Sequence, residues 1–268
     1  MEIDNEFPDI HDIQLLELVQ FTSQLCDDES ASEEAYLQLD KLISEVREIS
    51  LNELSLPARW SAFKTLFYGE WQFAINEDDY FSVDSNNLFH FLKTRTGNNA
   101  LSSIVVHYLL SMLELEPQII DFPGPFVIQL DALEQQKIDP LNGQVMSTRL
   151  LEGLVRGHLG NHVHLVDEHL AIAEERNIKK RFLVSLKQAC LLEEEYDIAL
   201  LLSDFLLTLL PDDPNIIMER GFILQQLDYA VGALEDFSYF IEQCPDHPNS
   251  DVLKIHIDKL KDQAVVMH

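Results

Sequence analysis

Apolar residues recur at three- and four-residue steps over most of this chain, and that spacing predicts helices. Ile13, Leu16, Val19 and Leu25 fall near one face of a first helix between Asp12 and Leu25. Ser30 and Glu33 have the spacing of a capping box. Behind them, Leu39, Leu42, Ile43, Val46 and Ile49 mark the apolar face of a second helix. Pro57 suits the first turn of a third, reaching about Tyr68. Gly69 to Phe81 mixes aromatics, glycine and acids and reads as an ordered loop, followed by a short helix from Ser85 to about Lys93. Beyond Thr94, Leu101, Ile104, Val105, Tyr108, Met112 and Leu113 mark one helical face, while Val106, Leu109 and Leu110 fill much of the rest. A helix apolar nearly all round belongs in the centre of a domain.

The period then changes. Gln118–Phe122 and Phe126–Leu130 are short and β-rich, with Pro123–Gly124–Pro125 between them. A third short run from about Leu133 to Ile138 ends at Asp139–Pro140, so a small antiparallel sheet is predicted. Leu141 to Gln144 is turn chemistry, and Ser147 suits the cap of the next helix. Gly153, Gly157, Gly160 and Asn161 read as the exit from a first domain.

The last third is helical and repeats itself. Pro211–Asp212–Asp213–Pro214–Asn215 recurs 34 residues later as Pro245–Asp246–His247–Pro248–Asn249. At the same offset Ala199 matches Ala233, Leu200 matches Leu234, and Leu206 matches Phe240. This period, with small residues where paired helices cross, is the tetratricopeptide signature. Gly221, Ala233, Phe237 and Pro245 sit at consensus positions of the second unit. The first unit keeps Ala199 and Pro211 but has Lys187 at the Gly position and Ser203 at the Phe position. Ser250 to Val266 reads as a capping helix. The fold class is therefore α+β and mostly helical. Residues 1–175 would hold N-terminal helices and a domain with a small sheet, and 176–268 two repeats and a cap.

Composition narrows the function. The net charge is −29, and the first 56 residues alone carry 15 acids and 2 bases. Nucleic acid and anionic membranes are disfavoured partners, because both need clustered Lys and Arg. A basic protein or peptide surface fits better, although such charge also simply keeps a protein in solution. Cys26, Cys190 and Cys244 are odd in number and far apart, which points to the reducing cytoplasm. No uncharged apolar run reaches membrane-spanning length, and MEIDNEFPDI lacks the basic and apolar parts of a secretory signal. No cofactor motif is present, and the oligomeric state cannot be read from the residues.

One stretch has the layout of a thiol enzyme. Arg95-x-Gly97 leads into the apolar helix, which is followed by two strands and Ile138–Asp139–Pro140. This resembles the transglutaminase-like superfamily, with its papain-like fold. There the pattern is Arg-x-Gly-x-Cys at a helix start, a strand bearing His, and a strand ending in Asp-Pro. A helix N-terminus lowers a cysteine pKa, the His shares its proton and the Asp orients the His. Here the nucleophile position falls on Asn99 and the His position on Pro125 or neighbouring Phe126, so only Asp139 survives. No cysteine lies between Cys26 and Cys190 to restore a thiol.

More narrowly, the chain resembles the bacterial SirB-type family, in which a transglutaminase-like domain precedes tetratricopeptide repeats. The resemblance rests on FYGEWQF (Phe67 to Phe73), FLKTRTGNNALSS (Phe91 to Ser103), FPGPFVIQ (Phe122 to Gln129), IDPLNGQ (Ile138 to Gln144) and EQCPDHP (Glu242 to Pro248). The family name implies a regulatory role, and because that family usually lacks the cysteine the resemblance also implies a non-catalytic protein.

Other chemistries compete with plainer readings. Ser102 and Ser103 lie one turn into the apolar helix, and Ser103 and His107 are spaced i, i+4. A hydrolase or acyltransferase using Ser102 and Asp139 would be the enzymatic alternative, against serines that pack or bond to backbone. His158, His162, His164 and His169, with Asp167 and Glu168, suggest zinc at first sight, but Gly160 and Asn161 interrupt any shared face and no metal site is expected. Asp139 has a structural reading as well, holding Arg95 or capping a turn. The leading expectation is an interaction scaffold, in which the old cleft keeps Arg95, Gly97, Asn99, Pro125 and Asp139. The repeats would offer Lys187, Gln188, Arg220, Leu224 and Gln225 to a partner segment. Non-covalent peptide recognition in the old cleft is a third reading.

Overall fold

A computed structural model describes residues 13–26, 29–75 and 79–266. Within them lie two compact units, Ile13–Ser185 and the segment from Leu186 onward.

The first unit opens with α1 (Leu15–Leu25) and α2 (Glu29–Leu51). The expected stripe on α2 is buried at Leu39, Leu42, Val46 and Ile49. The Ser30 side chain, and with it the expected capping box, lies outside the described residues. α3 (Leu56–Lys64) carries Pro57 in its first turn. It continues not as an α-helix to Tyr68 but as a π-helical turn, Thr65–Glu70, closed by Trp71 N–H donating to the Leu66 carbonyl at 2.8 Å. The wider turn lets Phe63, Phe67 and Phe73 stack in series, with ring centroids 5.3 and 4.3 Å apart, and Phe91 closes the row at 4.6 Å.

The expected loop contains a short strand. β1 (Ala74–Ile75) pairs in parallel with β2 (Thr96–Gly97), and between them lie α4 (Val83–Asn86) and α5 (Leu88–Thr94). Two residues give no readable period, so the sequence had no signal for this pair. Asn87 ends α4 and caps α5, its Oδ1 accepting the Phe89 and His90 N–H groups. A buried polar cluster ties α4 to the next helix: Asn98 Nδ2 donates to Asn86 Oδ1 at 2.7 Å, which also accepts from Ser185 Oγ at 2.9 Å.

α6 (Asn99–Ser111) is buried nearly all round, as its apolar content requires. Each fully buried Leu, Ile or Val there contributes about 1.5–3 kcal/mol. Asn98 caps it, accepting the Leu101 N–H at 3.0 Å. β3 (Pro117–Ile120), β4 (Val127–Leu130) and β5 (Gln136–Ile138) form the expected antiparallel sheet in the order β3-β4-β5. β5 starts three residues later than its apolar pattern suggests, because Asp131–Leu133 turns as a 3-10 helix. β4 is buried on both faces, which explains its unbroken apolar run. Its Gln129 is satisfied by Asp131 at 2.6 Å. α7 (Thr148–Leu159) is capped by Ser147 as expected. Gly153 and Gly157 lie inside this helix rather than beyond it, and only Gly160 ends it.

The unit boundary falls within α8 (Glu175–Leu192). α9 (Tyr196–Leu209), α10 (Pro214–Gln226), α11 (Ala230–Gln243) and α12 (Pro248–Val266) complete the helical repeats and the cap. The recurring Pro-Asp-x-Pro-Asn segment is a helix-entry turn: Asp213 accepts the Asn215 and Ile216 N–H groups while Pro214 occupies the first turn of α10. Gly221 sits where a Cβ would come within 2.7 Å of the Phe237 ring, so the consensus glycine allows α10 and α11 to touch. Phe237, Phe240, Leu253 and Leu260 bury against one another in the same core. No described helix is long and apolar enough to cross a membrane.

Candidate functional site

The start of α6 sets Asn99 against the chain that enters β4. Asn99 Nδ2 donates to the Phe126 carbonyl at 3.1 Å, and Asn99 Oδ1 accepts the Phe126 N–H at 2.5 Å. A side-chain amide carries one donor and one acceptor side by side, so it completes both backbone groups of one residue as a neighbouring strand would. Asn99, expected at the nucleophile position, thus adjoins Phe126, one of the two residues expected at the histidine position, and a backbone clasp joins them. Asn99 is 4% exposed, and its own N–H makes a long 3.4 Å contact with the Tyr80 hydroxyl.

The other expected residues of this region are held in structural contacts. Arg95 ends α5 in the left-handed conformation. Its guanidinium stacks 4.3 Å from the Trp71 ring centre and bonds Gln38 Oε1 at 2.7 Å, and burial lowers its pKa. Gly97 backs on to Phe91, whose ring a Cβ would meet at 2.6 Å. Asp139 caps the turn after β5: Oδ1 accepts the Leu141 N–H and Oδ2 accepts from Asn142 Nδ2, both at 2.9 Å. Of its two structural readings, the turn is the one its carboxylate serves. Ser103 Oγ bonds the Asn99 carbonyl at 2.6 Å, as its backbone-bonded reading expects. Ser102 is 3% exposed. Burial pushes the His107 imidazole below its usual pKa, partly offset by a hydrogen bond to the Pro117 backbone and by the charge of Glu175.

Asn99 and Pro125 line a cleft of about 480 Å³ together with Tyr80, Phe126, His158 and Arg181. Arg181 was not legible in the sequence. Its guanidinium lies 3.8 Å from the Phe126 ring centre and donates to Asp121 Oδ1, to the Phe122 carbonyl and to the Gly124 carbonyl. Burial lowers its pKa while Asp121 raises it. The Pro-Gly-Pro turn frees carbonyls that need a donor, but nothing local indicates that it comes from α8, 57 residues on. His158 seats its ring against Gly124. His169 serves a different turn, its Nδ1 accepting the Val166 N–H. Among the described residues no group of three or more His, Cys, Asp and Glu side chains is placed to hold a metal.

The repeat unit holds a second concavity of about 410 Å³, walled by Leu191, Tyr196, Phe222 and Ile223 and edged by Gln188, Glu219 and Gln226. Gln188 is the one residue of the expected contact set among these lining residues. Lys187, standing for the consensus glycine, is 1% exposed and extends its Nζ to Glu219 at 2.5 Å. Arg220 clamps three helices, binding Asp236 through Nε and Nη2 and Asp204 through Nη1, each at 2.9 Å. Leu224 packs with the core around Phe237, and Gln225 is half-buried. Glu219, Phe222 and Gln226 are spaced i, i+3, i+7, so the groove-lining face of α10 is a legible stripe, rotated by one residue from Arg220 and Leu224.

A family model described as the transglutaminase-like superfamily matches residues 33–184. A tetratricopeptide repeat model matches residues 186–258. A UPF0162 protein of Vibrio cholerae is 34% identical over 97% of each chain. SirB1 of Salmonella typhimurium is 30% identical over 87% of each. The UPF0162 protein YchA of Escherichia coli is 30% identical over 88% of this chain and 89% of its own. No solved structure matches the chain.

Proposed function

Because this chain belongs to the transglutaminase-like superfamily, in the branch represented by SirB1 and the UPF0162 proteins, we propose that it is a non-catalytic interaction protein of the cytoplasm. Its repeats receive a segment of a partner protein, and its transglutaminase-like unit serves as a rigid body whose old reaction site is closed by structure. The observation that carries this reading is the Asn99–Phe126 clasp. An amide is no nucleophile at neutral pH, and here both its polar atoms are spent on backbone. Arg95, Gly97 and Asp139 then keep the shape of the family site rather than its chemistry.

The repeat groove supplies the binding side. Tyr196 and Phe222 give it an aromatic wall, and Gln188, Glu219 and Gln226 give it polar edges, the composition that suits a peptide segment. Glu219 and the acidic chain as a whole favour a basic segment. Lys187 and Arg220 act indirectly, by fixing α8, α9, α10 and α11 in the register that shapes the groove.

The test is affinity capture from native cytosol with the full chain and with a Gln188→Arg/Gln226→Arg variant, quantified against an equally acidic control protein. One partner retained by the wild type and lost by the variant is the expected result. A partner held equally by both, or none above the control, would contradict the repeat-groove reading.

A further inference from the structure

A third concavity lies in the first unit, away from the residues of the old cleft. It is an open groove of about 900 Å³ between the C-terminal half of α2 and the face of α3 that runs on into the π turn. One wall is Glu45, Glu48 and Ile49, spaced i, i+3, i+4 on α2, with Asn52 just beyond its end. The other is Ala58, Ala62 and Leu66, spaced i, i+4, i+8. Ile49 and Leu66, each 9% exposed, form its floor. Leu54 stands at one end and is 37% exposed, and Leu51 nearby is 83% exposed. Ile49 and Leu66 are thus nearly covered, and the apolar surface that the groove leaves open to water is that of Leu54 and of the half-buried Ala58 and Ala62.

The rim fixes the chemistry of what would cover them. Glu45, Glu48 and Glu70 border the groove, and no Lys or Arg is among its lining residues. Glu45 is committed inward, accepting the Trp71 indole N–H at 2.6 Å and lying 3.7 Å from Lys41. Glu48 and Glu70 are exposed and offer their charge outward. We propose that this groove docks an amphipathic helix of a partner protein, with an apolar stripe on its floor and Lys or Arg flanking that stripe against Glu48 and Glu70. Two helical walls with small residues on one of them accept a third helix by packing ridges into the groove. The acidic rim rejects an acidic helix and sets the orientation of a basic one. This docking is separate from the repeat groove and does not depend on it.

The probe is a synthetic 18-residue peptide with Leu at i, i+3, i+4 and i+7 positions and Lys on both flanks, titrated by fluorescence anisotropy against the full chain. Two control peptides carry Glu in place of Lys, or the same Lys content with the Leu stripe scrambled. The Lys-flanked stripe should bind, and both controls should bind at least tenfold more weakly. A Glu48→Lys/Glu70→Lys variant, altered only at exposed positions, should lose at least tenfold for that peptide. The Gln188→Arg/Gln226→Arg variant should bind it as the wild type does. Equal binding by the charge-reversed chain, equal binding of the scrambled peptide, or no binding would each overturn the proposal. Light scattering supplies one more arm: a wild-type dimer that the Glu48→Lys/Glu70→Lys change dissolves would make a second copy of this chain the occupant, and would also overturn it.

Discussion

Asn99 and Asp139, at positions proposed to match a nucleophile and its orienting acid, both make structural hydrogen bonds, and they do so differently. Asn99 uses both polar atoms of its amide on one backbone residue. Asp139 keeps the carboxylate of the family pattern but turns it on to its own chain, bonding Leu141 and Asn142. Beside it, Tyr68 donates its hydroxyl to the Pro140 carbonyl at 2.9 Å. Burial, with a smaller contribution from Asp139, holds that phenol well above its usual pKa. Asp139→Ala should therefore cost about 1–2 kcal/mol of stability through the lost turn, read by urea denaturation, and remove no activity. A variant as stable as the wild type would show that the carboxylate serves something other than its turn. The sequence leaves Asp139 open as an orienting acid, a partner for Arg95 or a turn cap, because only the position of its oxygens separates the three.

At the level of elements, legibility followed the strength of the period. α2, α6 and the strands β3 and β4 have enough apolar residues in phase to be found from spacing alone. The π turn at Thr65–Glu70 was not found, because one wide turn shifts the phase without breaking the apolar run. The parallel pair β1–β2 was missed because its pairing is non-local and two residues long. Gly153 and Gly157 misled for a physical reason: a glycine inside a helix costs only about 1 kcal/mol, so α7 runs through both, and since a Cβ at either would meet nothing within 4 Å no contact requires them. Gly221 is the opposite case, legible from the repeat and required by contact. Gly221→Val should destabilise the repeats by about 2 kcal/mol, since the buried Phe237 ring cannot yield. Thermal unfolding followed by circular dichroism checks this, and an unchanged midpoint would show that α10 and α11 are free to separate.

On the scale of the whole molecule, the acidic charge and the domain order are legible in the sequence, while the grooves of the structure are not. Of the residues expected on the repeat surface only Gln188 lines the groove, while Arg220 and Leu224 lie one residue from the stripe of α10 that does. Lys187 and Arg220, expected to contact a partner segment, instead pair with Glu219, Asp204 and Asp236. Of the residues expected in the cleft only Asn99 and Pro125 line it, and their surroundings were not legible, because hydrogen bonds between Asn99 or Arg181 and the backbone span 27 to 59 residues of sequence. The central claim is that the nucleophile position now holds the fold together instead of performing chemistry. The most direct test is the unfolding free energy of full-length Asn99→Ala relative to the wild type. Catalytic polar residues commonly cost their protein stability, so removing one tends to leave stability unchanged or raise it. A clasp does the reverse, and its loss leaves the buried Phe126 N–H and carbonyl without their partner. A decrease of about 1–3 kcal/mol is predicted, and a variant equal to or more stable than the wild type would contradict the account.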